Sequence, residues 1–248
     1  MNLNNLNLAV ILSAVLLISA CDQKTSGNYE ADLSTQIDSV SYAIGYQNGM
    51  LLDNEGLNDI DIENYLAGFN QALNSEEGVM GREELFAVIN SYVQELSQKR
   101  GSENVEKGQA FLEENKDKEG VMVTESGLQY KVIEEGDGES PTAENIVRVH
   151  YTGQLIDGTI FDTSRKDVAQ EHGLYNQQRE PYDGTEFPLN RVIPGWTEGV
   201  QLMREGATYE FYIPSELAYG AQAPQGSPIG PNETLIFKVE LLEVKPAE

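Results

Sequence analysis

The stretch that most constrains this chain runs from Phe187 to Gly220, FPLNRVIPGWTEGVQLMREGATYEFYIPSELAYG. It is poor in charge and rich in large apolar groups. After Pro194, Trp196, Val200 and Met203 recur with the period of one helical face. Proline is favoured at a first helical position, which predicts a short helix from about Pro194 to Met203. Gly206 breaks the chain, and Ala207 to Pro214 then alternates Tyr209, Phe211 and Ile213 against Thr208, Glu210 and Tyr212, as a strand does. A short helix beside an alternating strand makes an apolar concavity with Trp196 in its floor.

Two further segments extend the sheet. Val147 to Gly153 alternates and is β-branched, turns at Asp157-Gly158, a strong hairpin dipeptide, and returns as Thr159 to Ser164. The last alternating run is Thr234 to Leu242. Taken in order, VHYTGQLIDGTIFDTS, FPLNRVIPGWTEGVQLMREG, IPSELAYG and NETLIFKVELLEV resemble the FK506-binding (FKBP) type of peptidyl-prolyl cis-trans isomerase. The four motifs span about 110 residues and together are specific.

The N-terminal half is helical in pattern. Ile37, Ile44 and Leu51 share one face of a first helix, with Gly45 and Gly49 placed to let another backbone approach. Asp61 is a plausible N-cap for a second helix whose stripe is Tyr65, Leu66, Phe69 and Leu73. A long helix is expected from about Arg82 to Lys118. Gly101 and Gly108 lie inside it and leave a bend or break open, since each glycine costs roughly 1 kcal/mol against alanine. Two short helices and half a long one bury too little apolar area alone, and a second copy of the chain would supply the rest. A monomeric helical spacer is the competing reading. SYAIGYQNG, NYLAGFNQAL and KGQAFLEENKDKEGVMVTESGLQYKVIEEGDG are similar to the N-terminal domain of the Mip and FkpA group of bacterial isomerases, which implies a homodimer through these helices. Ser126 to Ile133 begins the sheet.

The expected fold is therefore α+β. An antiparallel sheet wrapped on a short helix follows an all-α dimerisation domain with a long connecting helix. The expected divisions are a signal peptide at 1–20, a tether at 21–32, the helical domain at 33–119 and the isomerase domain at 120–248. Leu8 to Ala20 is an apolar run too short to span a bilayer comfortably. Leu17-Ile18-Ser19-Ala20-Cys21 resembles the cleavage box of a bacterial lipoprotein, whose cysteine carries the lipid. A plain signal peptide with a chance cysteine is the alternative. Cys21 is the only cysteine, so no internal disulfide can form. Asp22 resembles an inner-membrane retention signal, and the choice between inner and outer membrane stays open. The chain is then expected in the bacterial envelope, facing the periplasm, held to a membrane through Cys21.

Composition narrows the chemistry. Asp and Glu number 41 against 16 Lys and Arg, which argues against nucleic acid as a partner. His150 and His172 stand alone without metal-ligand spacing, and no GxSxG or P-loop occurs. No metal or other cofactor is expected. What remains is an aromatic concavity that works by binding. The isomerase resemblance implies, residue by residue, a proline pocket formed by Tyr151, Phe161, Phe187, Val192, Trp196, Ile229 and Phe237. It implies that the Ile193 N–H and the Tyr219 hydroxyl hold substrate carbonyls, with Asp162 at the rim. The implied substrates are proline-containing unfolded or exported proteins, and the alternative role is that of a holdase with secondary isomerase activity. The segment from Ser164 to Phe187 is about 16 residues longer than the minimal form of this loop and reads as an exposed insertion.

Overall fold

The computed structural model describes residues 30–222, 224 and 226–246. The expected leader at 1–20, Cys21 and most of the expected tether at 21–32 lie outside the described residues. The chain divides into two compact units between Asn48 and Gly49. Helix α1, Gln36–Asn54, begins in the first. Its apolar side chains Ile37, Val40, Ile44 and Leu51 are all exposed.

In the second unit, α2 spans Ile62–Leu73 and α3 spans Arg82–Asn115. Asp61 caps α2, accepting the Asn64 N–H at 3.0 Å, as the sequence predicts. No residue of α2 is buried. Helix α3 is continuous for 34 residues, about 51 Å at 1.5 Å per residue. Neither Gly101 nor Gly108 breaks it. Both are buried, because they are the points where α3 meets the chain before the last strand. A Cβ on Gly108 would lie 2.3 Å from the Thr234 Oγ1, and one on Gly101 would lie 3.0 Å from the Asn232 Nδ2. At the far end Asn115, 1% exposed, donates to the Gln129 Oε1 at 3.0 Å, and Phe111 packs on Tyr212 with ring centroids 6.0 Å apart.

Seven strands form one antiparallel sheet: β1 Val121–Val123, β2 Gln129–Glu134, β3 Ile146–Leu155, β4 Ile160–Thr163, β5 Thr185–Pro188, β6 Thr208–Ile213 and β7 Leu235–Lys245. The order is β1-β2-β6-β7-β3-β4, with β5 also pairing β3. Hairpin β3–β4 turns at Asp157-Gly158, where Gly158 sits at φ +90°, a left-handed conformation that glycine adopts without steric cost. Strand β3 alternates strictly, burying Val147, Val149, Tyr151 and Leu155. The 164–187 insertion is not simply an exposed loop. It carries helix α4, Lys166–Glu171, and buries Ala169 and Tyr182.

Helix α5, Pro194–Gln201, lies on the sheet and ends two residues before the expected Met203. Trp196, Val200 and Met203 are nonetheless all buried. The helix seats closely because Gly195 and Gly199 face β6. A Cβ on Gly195 would stand 2.5 Å from the Ile213 Cγ2, and one on Gly199 would stand 2.7 Å from the Phe211 Cε1. Phe211 is fully buried and has nowhere to turn. Gly199→Ala should therefore lower stability by about 1–3 kcal/mol by overpacking, although alanine is the better helix former. Urea denaturation of the variant checks the sign; a gain in stability would mean that the helix stands off the sheet.

Candidate active site

The site is built where α5 meets the concave face of the sheet. Trp196, 5% exposed, is its floor. Three rings meet Trp196 edge to face: Phe237 at 5.1 Å between centroids, Tyr151 at 5.4 Å and Phe187 at 5.5 Å. Phe161 meets Phe237 in the same way at 5.4 Å. Such T-shaped contacts fit the positive edge of one ring to the negative face of another and fix ring orientation. Gly153 on β3 makes room for this set, since a Cβ there would lie 2.6 Å from Phe237 and 2.7 Å from Phe161.

All ten site residues expected from the sequence line a single cavity of about 760 Å³. Tyr151 comes from β3, Phe161 and Asp162 from β4, Phe187 from β5 and Phe237 from β7. Val192 and Ile193 lead into α5, and Ile193 is its N-cap residue. The Ile193 carbonyl accepts the N–H groups of Trp196 and Thr197 at 2.9 and 3.1 Å. Its own N–H donates to no backbone carbonyl among the described residues. Tyr219 and Ile229 stand across the cavity, Tyr219 partly exposed and Ile229 buried.

The polar edge contains what the sequence did not reveal. The Tyr151 hydroxyl donates to the Asp162 Oδ2 at 2.6 Å, and the Arg179 Nη1 donates to the Asp162 Oδ1 at 2.7 Å and to the Thr163 carbonyl at 2.8 Å. Arg179 belongs to the insertion, which also places Leu174 on the cavity wall. Gly173, at φ +70°, ends α4, and the Leu174 N–H returns to the Ala169 carbonyl at 2.8 Å. This is a Schellman-type closure that turns the chain back toward the site. Lys166 pairs with Glu180 at 2.6 Å and fastens the base of the insertion. Nothing in the spacing of the inserted segment singles out Arg179, which lies 17 residues from its partner. Arg191 and Thr185 also line the cavity without a prior signal.

The charges here largely compensate one another. Burial, followed by the Asp162 charge, pushes the Tyr151 phenol well above the ordinary tyrosine value. The same two causes, burial first, raise Tyr219. Both hydroxyls therefore remain protonated donors. Among the described residues no group of three or more His, Cys, Asp or Glu is placed to hold a metal ion. What this arrangement offers a substrate is an aromatic box, a hydroxyl donor and a backbone N–H.

Fold and cavity together define an FKBP-type peptidyl-prolyl cis-trans isomerase, and the chain belongs to that family. Residues 137–242 match the family model described as FKBP-type peptidyl-prolyl cis-trans isomerase, and 37–132 match the domain amino terminal to it. Among relatives, the chain is 37% identical over 244 residues to the outer membrane protein MIP of Legionella longbeachae, covering 96% of this chain and 98% of that one. It is 42% identical to the FKBP-type 22 kDa peptidyl-prolyl cis-trans isomerase of Escherichia coli, covering 82% and 93%. The crystal structure of FkpA from Escherichia coli superposes with a TM-score of 0.59 at 32% identity, covering 88% of this chain and all of that one. The chain is thus an isomerase of X-Pro peptide bonds that assists protein folding.

Because Arg179 and Asp162 are both partly exposed, their pair should add less than about 1 kcal/mol to stability. Arg179→Met should instead act on the site, freeing Asp162 and lowering kcat/KM severalfold. Peptide turnover measured beside thermal unfolding separates the two effects; unchanged turnover would make Arg179 a surface ion-pair partner only.

Proposed function

We propose that catalysis in this chain is carried by the ten residues converging on the cavity, with roles divided between box and clamp. Tyr151, Phe161, Phe187, Val192, Trp196, Ile229 and Phe237 receive the proline ring. The Ile193 N–H and the Tyr219 hydroxyl hold carbonyl oxygens flanking the scrambled amide, and Asp162 fixes the Tyr151 side of the rim. The reaction must overcome about 18–20 kcal/mol of lost amide resonance. No bond to a heavy atom breaks and no proton need move. At the transition state the amide is twisted and less polar than in its planar form. A dry aromatic box favours that state over the ground state, which is the differential binding that catalysis requires. The convergence of all ten side chains and groups on one cavity supports this reading.

Tyr219→Phe removes one donor while keeping the ring, so kcat/KM on a short X-Pro peptide should fall about 5- to 10-fold. The wild-type rate should stay flat as the pH rises to about 10, the ordinary tyrosine value, because the raised phenols keep their protons. FK506 should block turnover by occupying the box. Undiminished turnover of Tyr219→Phe would remove the hydroxyl from the mechanism, and a loss of wild-type rate well below that pH would mean that the phenols are not raised.

The chain acts as a homodimer through its N-terminal helices, tethered in the bacterial envelope by lipid on Cys21. Supporting the dimer, α2 exposes Ile62, Leu66, Phe69 and Leu73, and the first half of α3 exposes Leu85, Phe86, Val88, Ile89 and Tyr92. Apolar rows of this extent on a soluble surface mark an interface. Supporting the envelope, one relative carries the name outer membrane protein. Exported proteins with slow X-Pro bonds are the natural substrates of such an enzyme. The same apolar rows favour a holdase role where they remain open to unfolded chains. Sedimentation of wild type and Phe69→Glu decides: a dimer that the variant splits into monomers supports pairing, whereas a wild-type monomer leaves the rows to clients.

A further inference from the structure

The cavity wall that carries Ile229 does not stand on the sheet alone. Chain Gly226–Ile229 lines the cavity and runs into Pro231, Asn232 and Glu233 just before β7. That return point is bonded to α3, far away in sequence. The Asn104 Nδ2 donates to the Pro231 carbonyl at 2.9 Å and to the Glu233 Oε1 at 2.9 Å. Both partners are pure acceptors, so the amide nitrogen must face them, and both of its hydrogens are used. One turn earlier on α3, the Gly101 carbonyl accepts from the Asn232 Nδ2 at 3.3 Å. Asn232 is held at φ +56°, and its own N–H reaches back to the Gly220 carbonyl at 2.7 Å. Gly220 directly follows Tyr219. The ties therefore gather the return of the cavity wall and the residue next to the catalytic hydroxyl onto one helix.

We propose that Asn104 of α3 is a positioning residue of the isomerase site, holding the Gly226–Asn232 segment so that Ile229 stands at the correct distance from Trp196 and Tyr219. The proposal rests on the reading above that Ile229 walls the proline cavity. It places part of the active-site apparatus on a helix that the sequence assigns to the other half of the molecule. Only Gly230 and Pro231 separate Ile229 from Asn232, a reach of at most about 10 Å, so slack at Asn232 passes to Ile229 with little loss. Among the described residues Asn104 bonds to no strand of the sheet, which makes this link separable from the rest of the fold.

Asn115 provides the comparison. It also docks α3, but at the opposite end, through Gln129 on β2 and away from the cavity wall. In the full chain, Asn104→Ala should lower kcat/KM on an X-Pro peptide about fivefold, the effect of one net hydrogen bond. Amide exchange should quicken at 226–229. Asn115→Ala should lower Tm yet leave kcat/KM and that exchange unmoved. Ile229→Ala should lower kcat/KM by itself. If Asn104→Ala leaves kcat/KM and exchange unchanged while Ile229→Ala lowers kcat/KM, the positioning role is overturned and the cavity reading stands. Equal losses of kcat/KM in Asn104→Ala and Asn115→Ala would also overturn it, as general undocking of α3. An Ile229→Ala enzyme with unaltered kcat/KM would instead sink the cavity reading underneath.

Discussion

The contact between α5 and β6 governs this molecule. Gly195 and Gly199 bring the helix backbone to within the thickness of a missing methyl group from Ile213 and Phe211. That proximity sets the height of Trp196 above the sheet. The indole in turn sets the angles of Phe237, Tyr151 and Phe187, each meeting it edge to face. A helix held farther off would leave the rings unbraced, and the concavity would become an ordinary core. Because interiors are packed to crystal density, a shift of a methyl's width at this seam cannot be absorbed locally.

The electrostatics follow from the same enclosure. The chain carries a formal net charge of −25, yet its cavity is not an acidic one. Asp162 spends one oxygen on Tyr151 and the other on Arg179. Both nearby phenols, raised by burial and then by the Asp162 charge, keep their protons. The site is therefore built to hold an amide in a shape rather than to react with it. Acidity elsewhere keeps the surface soluble and self-repelling.

The parts legible in the sequence were those fixed by short-range periodicity or by turn chemistry. Alternation located β3, β6 and β7. Asp157-Gly158 located a hairpin, Asp61 a cap, and Pro194 the start of α5. These rules depend on a residue's immediate neighbours. Where a residue's role is set by a distant partner, the sequence misled or stayed silent. Gly101 and Gly108 left a bend or break open, since a glycine's entropic cost is visible locally and its packing partner is not. Their partners, Asn232 and Thr234, lie over 120 residues away. Tyr212 falls on the outward phase of β6 and is buried nonetheless, because Phe111 of α3 covers it. Arg179 carries no periodic signal, and only the closed turn of the insertion brings it to Asp162. The cavity itself was legible because its residues come as motifs; its polar bracing was not, because it is assembled from pieces without motifs.

Helix α3 has two halves with different physical commitments. From Gly101 to Asn115 it is tied to the sheet side by buried glycines, by Asn104 and by Asn115, so this half moves with the active site. From Leu85 to Tyr92 its apolar side chains are exposed. A helix whose hydrogen-bond ladder is unbroken links its two ends more stiffly than a loop does. Whatever covers the exposed half is therefore connected to the cavity by an unbroken lever rather than by a loop. The two glycines that look like hinges in the sequence are the joints at which that lever is fixed.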